Sequence, residues 1–221
     1  MAACAALPVT AMAASPRSPQ VIVSGGTLQT YLNGKGESIN VGSDQVDIQT
    51  WKSTISGNSA LTLQISLGGV GGNEIGLYGA HSHATRFPIF PATAPAGWFA
   101  VVSLRSVAPK LIINLFDEVG QHQTRTAVTN FEIDNFGYYI KNVDNGVGHT
   151  EDGHNPNNSP SALTYAGTGD NTGCWWLCFE DRLYGDGGRD NDFDDAVLLL
   201  ESVNPTPVTK TTWASVKARF R

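Results

Sequence analysis

The sequence predicts an all-β fold: an antiparallel β-sandwich or jelly roll with a short C-terminal helix. Three observations carry this. Short apolar runs alternate with polar residues, as in "ALTLQISL", where Leu61, Leu63, Ile65 and Leu67 share one face. Turn signals such as "SGG", "NGKG", "GGVGG", "DNG" and "GDGG" separate the runs at spacings near ten residues. The composition is rich in glycine (24) and proline (11), low in charge (15%), and without long charged helical stretches. At 221 residues and 41% hydrophobic content, the chain can form one domain with a substantial core.

The predicted strands follow in order: "VIVS", "TLQTYL", "SINVG", "VDIQTW", "ALTLQISL", "EIGLYG", "WFAVVSLR", "KLIINLFD", "FGYYIKN", "CWWLCFE" and "DAVLLLE". "KLIINLF" and "AVLLLE" are continuously apolar and are expected to lie centrally. Residues 81–95 and 143–160 read as long loops, which in compact domains are usually functional or mobile. No helix is expected before the end, where "TTWASVKARFR" places Trp213, Val216 and Phe220 at helical spacing. The expected domain organisation is a signal-peptide remnant at 1–14, a β-sandwich at 15–203, and a Pro-containing linker with a basic tail at 204–221.

The leader "MAACAALPVTAMAAS" is apolar and small, and Ala11-Met12-Ala13 fits a signal-peptidase site, although no basic residue precedes it. Export to the cell surface or extracellular space is the expectation. The run is too short to span a membrane. A net charge of −6 argues against a nucleic-acid partner. Cys174 and Cys178 on one strand would stand about 13 Å apart. That is too far for a disulfide between them, so buried thiols are expected.

The strongest local signal is "FEDRLYGDGGRDNDFDDAVLLLES". Residues 180–201 hold eight acids against two arginines, while 203–221 hold four bases and no acid. Asp190, Asp192 and Asp194 alternate in a glycine-rich loop before an apolar strand. Crowded carboxylates resist joint ionisation unless a cation sits among them. Hard oxygen donors without Cys or His nearby suit Ca²⁺. An EF-hand does not fit, because Asp195 falls where that loop requires glycine. The candidate ligands are Glu180, Asp181, Asp186, Asp190, Asp192, Asp194 and Asp195, in a loop between two strands.

These same residues, "GCWWLCFED" followed by a glycine-rich acidic loop and "DNDFDDAVLLLES", resemble the secreted bacterial family called domain of unknown function 4114. "GWFAVVSL", "NLFDEVG", "NFGYYIKN" and "ALTYAGTG" add to the resemblance, which spans residues 61–203. It implies an exported β-rich domain with a calcium site, common in surface or matrix proteins, and no known reaction. Carried over position by position, it points to Glu180, Asp181, Asp190, Asp192, Asp194 and Asp195. The two cysteines depart from the small residues expected there.

No catalytic motif is evident: there is no G-x-S-x-G elbow, and "GGVGGNEIG" lacks the dinucleotide-binding spacing. His81 and His83 could share a strand face, with His122, His149 and His154 elsewhere, but no third metal ligand is apparent, so a surface loop is the preferred reading. A non-enzymatic structural or adhesive role is expected. The alternatives are a Ca²⁺-dependent glycan-binding module, with Trp51, Trp98, Trp175 and Trp176 as stacking faces, and a hydrolase with an unrecognised site. Self-assembly is a further expectation: "QVIVS", within residues 15–32, could add as a strand to the sheet edge of a second copy.

Overall fold

The computed structural model describes residues 14–53, 58–66, 72–144 and 146–206; for 58–66 only the backbone is described. The expected signal segment and the C-terminal helix lie outside these residues, apart from Ala14. Among the described residues, thirteen strands form two antiparallel sheets. They are β1 (Trp51–Ser53), β2 (Asn58–Ser66), β3 (Asn73–Gly79), β4 (Arg86–Phe90), β5 (Phe99–Leu104), β6 (Leu111–Phe116), β7 (His122–Val128), β8 (Phe136–Asn142), β9 (Gly146–His149), β10 (Ala162–Ala166), β11 (Trp175–Phe179), β12 (Ala196–Glu201) and β13 (Val203–Pro205). One sheet has the order β13-β1-β8-β3-β4, with β9 also on β8, and the other has β10-β11-β12-β2-β5-β6-β7. The fold is the all-β sandwich that the alternation predicts.

The inner faces of both sheets meet in one apolar core. Ile75, Leu77, Phe136, Tyr138 and Ile140 come from the first sheet, and Val102, Ile113, Leu177, Phe179, Leu198 and Leu200 from the second. Trp51, fully buried, packs edge-on against Tyr138 with centroids 4.9 Å apart. The expected long loops carry more structure than their polarity suggests. Residues 81–95 contain β4, and 143–160 contain β9 and two 3-10 turns.

One predicted strand is a helix. "TLQTYL" is an α-helix, α1 (Thr27–Gly34), and not a strand. Leu28 and Leu32, four residues apart, bury one helical face. They land on the outer face of β10–β12, where Leu163, Tyr165, Trp176, Cys178, Val197 and Phe193 form a second core. This explains the unbroken apolar runs of β11 and β12: alternate side chains enter different cores, so both faces are buried. Cys174 and Cys178 are both buried thiols, as expected. β6 is less central than predicted, lying next to the edge strand β7 with one face half-buried.

"VIVS" and "SINVG" are not ladder strands either, and Val41 and Gly42 lie in a turn. Glutamine side chains take the place of a neighbouring strand. Gln45 accepts from the Val21 N–H (2.8 Å) and donates to the Val21 carbonyl (2.7 Å). Gln29 donates to the Ile39 carbonyl (2.7 Å) and accepts from the Val41 N–H (3.0 Å). The segment expected to reach a second copy therefore has backbone groups engaged within its own chain. Among the described residues, no helix is long and apolar enough to cross a membrane.

Candidate metal centre

The acidic segment connects β11 to β12 and closes one end of the sandwich. β11 runs directly into Glu180 and Asp181, which are buried (1% and 5% exposed). The chain then turns through Gly185 at φ 92°, a left-handed conformation that glycine adopts without strain. Further on, Asn191 (φ 59°) and Phe193 (φ 55°) are also left-handed, which costs roughly 1–2 kcal/mol each for residues with a Cβ. The Phe193 ring is fully buried in the second core under α1, and that burial holds the loop's shape. The Arg189 guanidinium lies over the same ring, 5.7 Å from its centroid.

This path brings carboxylates together in two overlapping groups: Glu180 with Asp190 and Asp192, and Glu180 with Asp181 and Asp195. Within each group the oxygens lie within 4.8 Å of one another. Glu180 belongs to both and is the hub. Its Oε2 accepts from the Asn191 N–H (2.8 Å) and its Oε1 from the Arg182 N–H (3.3 Å). Asp195 Oδ2 accepts from the Asp181 N–H (2.8 Å), which ties the start of the loop to its end.

Two predicted ligands lie apart from these groups. Asp186 caps the tip of the loop, accepting from the Gly188 N–H (3.1 Å) and pairing with Arg182 at 3.5 Å. Asp194 is buried and bonded to Thr27, the first residue of α1. Its charge lies by the positive end of that helix.

The electrostatics follow from the crowding. Burial pushes the Glu180 carboxyl up to about 8, with Asp195 and Asp190 adding to the rise and Arg189 opposing it. Asp195 is raised to about 7, chiefly by burial and then by its acidic neighbours. Asp194 is raised to about 6 and Asp192 is also raised, each chiefly by burial. Arg189 offers little direct neutralisation, because its N–H groups go to Asn191 (2.7 Å) and to the carbonyls of Arg182 (2.9 Å) and Pro160 (2.7 Å). Such a cluster can hold a metal ion: a bound cation would make the ionised state of every oxygen favourable at once.

Two residues of this site carry no sequence signal. Asn73, the first residue of β3, and Asn142, the last of β8, both donate to Asp181 Oδ2 (3.0 and 2.9 Å). Asn142 also donates to Asn73 Oδ1 (3.0 Å). They belong to the opposite sheet, so Asp181 joins the acidic loop to both layers. Only the pairing of β3 with β8, Asn73 opposite Asn142, brings them together.

The tryptophans considered as glycan-stacking faces are mostly packing residues. Trp51 and Trp176 are buried in the two cores, and Trp98 and Trp175 are half-buried against the first. Compared with known proteins, the chain matches no family model, no curated protein and no solved structure.

Proposed function

We propose that this protein is an exported, calcium-stabilised β-sandwich with a structural or adhesive role at the cell surface or in the extracellular matrix. The observation that carries the reading is the convergence of Glu180 with Asp190 and Asp192, and with Asp181 and Asp195. All donors are hard oxygens, which suits Ca²⁺ better than zinc or copper. Ca²⁺ also tolerates the irregular coordination of a flexible loop, whereas Mg²⁺ requires a near-ideal octahedron. The resemblance to domain of unknown function 4114 points the same way. In this reading the ion clamps the end of β11 to the start of β12, and through Asp181 it steadies the β3–β8 pair. Binding free energy then becomes folding free energy.

The test is thermal unfolding with Ca²⁺, with Mg²⁺ and with a chelator, in the wild type and in Asp192→Ala. At a Ca²⁺ level about 100 times the dissociation constant, the wild type should gain roughly 2.7 kcal/mol over the chelated form. Asp192→Ala should lose most of that gain. A melting temperature indifferent to chelator would refute the reading.

A further inference from the structure

The opposite end of β3 carries a second cluster, of different chemistry. β3 runs from Asn73, at the acidic loop, to Gly79. At about 3.4 Å per residue its two ends are roughly 20 Å apart. Beside Tyr78 three imidazoles converge. His83 comes from the β3–β4 connection, His149 ends β9, and His154 closes the following 3-10 turn. His83 stacks on His154 with centroids 3.9 Å apart. His149 lies 5.6 Å from His83 and 5.8 Å from His154. Glu151 is the fourth member, its Oε2 lying 3.4 Å from His154 Nε2.

Four buried polar atoms of this cluster lack hydrogen-bond partners by geometry. His149 is 5% exposed, and neither ring nitrogen has a hydrogen-bond partner among the described residues. The same holds for His154 Nε2 and Glu151 Oε2: they approach each other, but without hydrogen-bonding geometry. Buried polar atoms are normally satisfied, and four unpartnered ones gathered in one neighbourhood need an explanation. The backbone of His149 is fixed in place, its N–H donating to Asn155 Oδ1 (2.8 Å) and its carbonyl accepting from Asn155 Nδ2 (2.9 Å). Burial, with the two neighbouring imidazoles, pushes the His149 ring down to about 4.

We propose that His83, His149, His154 and Glu151 form a second metal site, for a borderline divalent cation of the Zn²⁺ class. Imidazole nitrogens with one carboxylate select this class over Ca²⁺. Rings sharing a tetrahedral Zn²⁺, at Zn–N distances near 2.0 Å, stand with centroids about 5 Å apart. The two pairs that involve His149 are already close to that spacing. The stacked pair must open by about 1 Å, and exposed His83 is free to rotate to do so. No three of these donor atoms lie within 4.8 Å of one another, as those of the acidic groups do, so the side chains must draw together when the ion binds.

The experiment is a Zn²⁺ titration of the full chain by calorimetry, with Ca²⁺ in excess to occupy the carboxylates. Absorption of the Co²⁺-loaded protein then reports geometry. The expected result is one Zn²⁺ per chain and a tetrahedral Co²⁺ spectrum. His83→Gln and His154→Gln should each weaken Zn²⁺ binding at least about tenfold, while Asp192→Asn changes it less than about twofold. His149→Ala empties a buried position, so the two less buried histidines carry the test, with circular dichroism confirming that their variants fold. Absence of stoichiometric Zn²⁺ binding, or wild-type affinity in the two histidine variants, overturns the proposal. So does loss of binding in Asp192→Asn, which would place the Zn²⁺ in the acidic loop. Because the sites lie at opposite ends of β3, failure here leaves the Ca²⁺ reading standing, and the reverse also holds.

Discussion

Replacing Glu180 by glutamine tests the hub of the acidic cluster and its electrostatics together. The carboxyl is held at about 8 in the folded protein, against an ordinary value of 4.5. A raised folded value means that the folded state keeps a proton the unfolded chain has released. Without metal, this group's contribution is therefore most favourable below pH 4.5, declines as pH rises, and levels off above 8. The slope is about 1.4 kcal/mol per pH unit per proton, so the move from pH 5 to pH 7 costs about 2.7 kcal/mol. Glutamine cannot ionise, so the chelated Glu180→Gln protein should lose one proton's worth of that slope. Asp195, raised to about 7, keeps its own contribution in both proteins. With Ca²⁺ present the sign reverses for the variant: it lacks the oxygen charge shared by both groups and should gain little from the ion. The assay is urea unfolding from pH 5 to 9, with chelator or Ca²⁺, followed through tryptophan fluorescence, since Trp176 is buried in the second core. Equal pH slopes in the two chelated proteins, or equal Ca²⁺ increments, would refute the reasoning.

Two further predictions concern the frame around the sites. Glu37 accepts from the Thr168 N–H (2.6 Å), Thr168 Oγ1 (2.7 Å), Asn171 Nδ2 (2.6 Å) and Trp176 Nε1 (2.7 Å). Burial pushes its carboxyl up, but these donors outweigh it and the net shift is downward. Its stabilisation is therefore present above the ordinary value of 4.5 and lost as pH falls through the lower folded value. Glu37→Ala should cost about 3 kcal/mol at pH 7, and less at pH 3, in urea unfolding, because it leaves buried donors without acceptors. Gly76→Ala should disrupt the β3–β4 pairing, since a Cβ there would lie 2.3 Å from the Phe87 carbonyl oxygen and 2.7 Å from Tyr139 Cε1. A melting temperature within about 2 °C of wild type would show that β3 and β4 can separate at no cost.

Most of the sandwich was legible because its strands bury one face or two, and both patterns leave a mark in sequence. "FGYYIKN" corresponds to β8 from end to end. "TLQTYL" misled because six residues with apolar positions 28, 31 and 32 fit either period, and only the outer face of β10–β12 decides between them. β4 and β7 were missed for opposite reasons. Pro88 interrupts β4, while β7 is an edge strand whose side chains are almost all exposed, so it has no apolar face to reveal it. The acidic loop was legible as a cluster of charges. Glu180 was readable as one of its acids but not as the member of both groups, a role it owes to the left-handed turns at Asn191 and Phe193. The histidine cluster was illegible: His83 is 66 positions from His149, and only the β3–β8–β9 pairing unites them.

The seven-stranded sheet is covered unevenly, and this has a consequence for how the molecule breathes. At β10–β12 the outer face lies under α1, while at β5–β7 side chains on that face are half-buried or exposed. Amide hydrogens along this one sheet should therefore exchange with solvent in a gradient, slowest in β11 and β12 and fastest in β7. An ion held by the acidic loop would deepen protection at the slow end alone. β7, at the other edge of the sheet, should open by local fraying without disturbing the loop, and its exchange rate would be the same with the ion bound or stripped away.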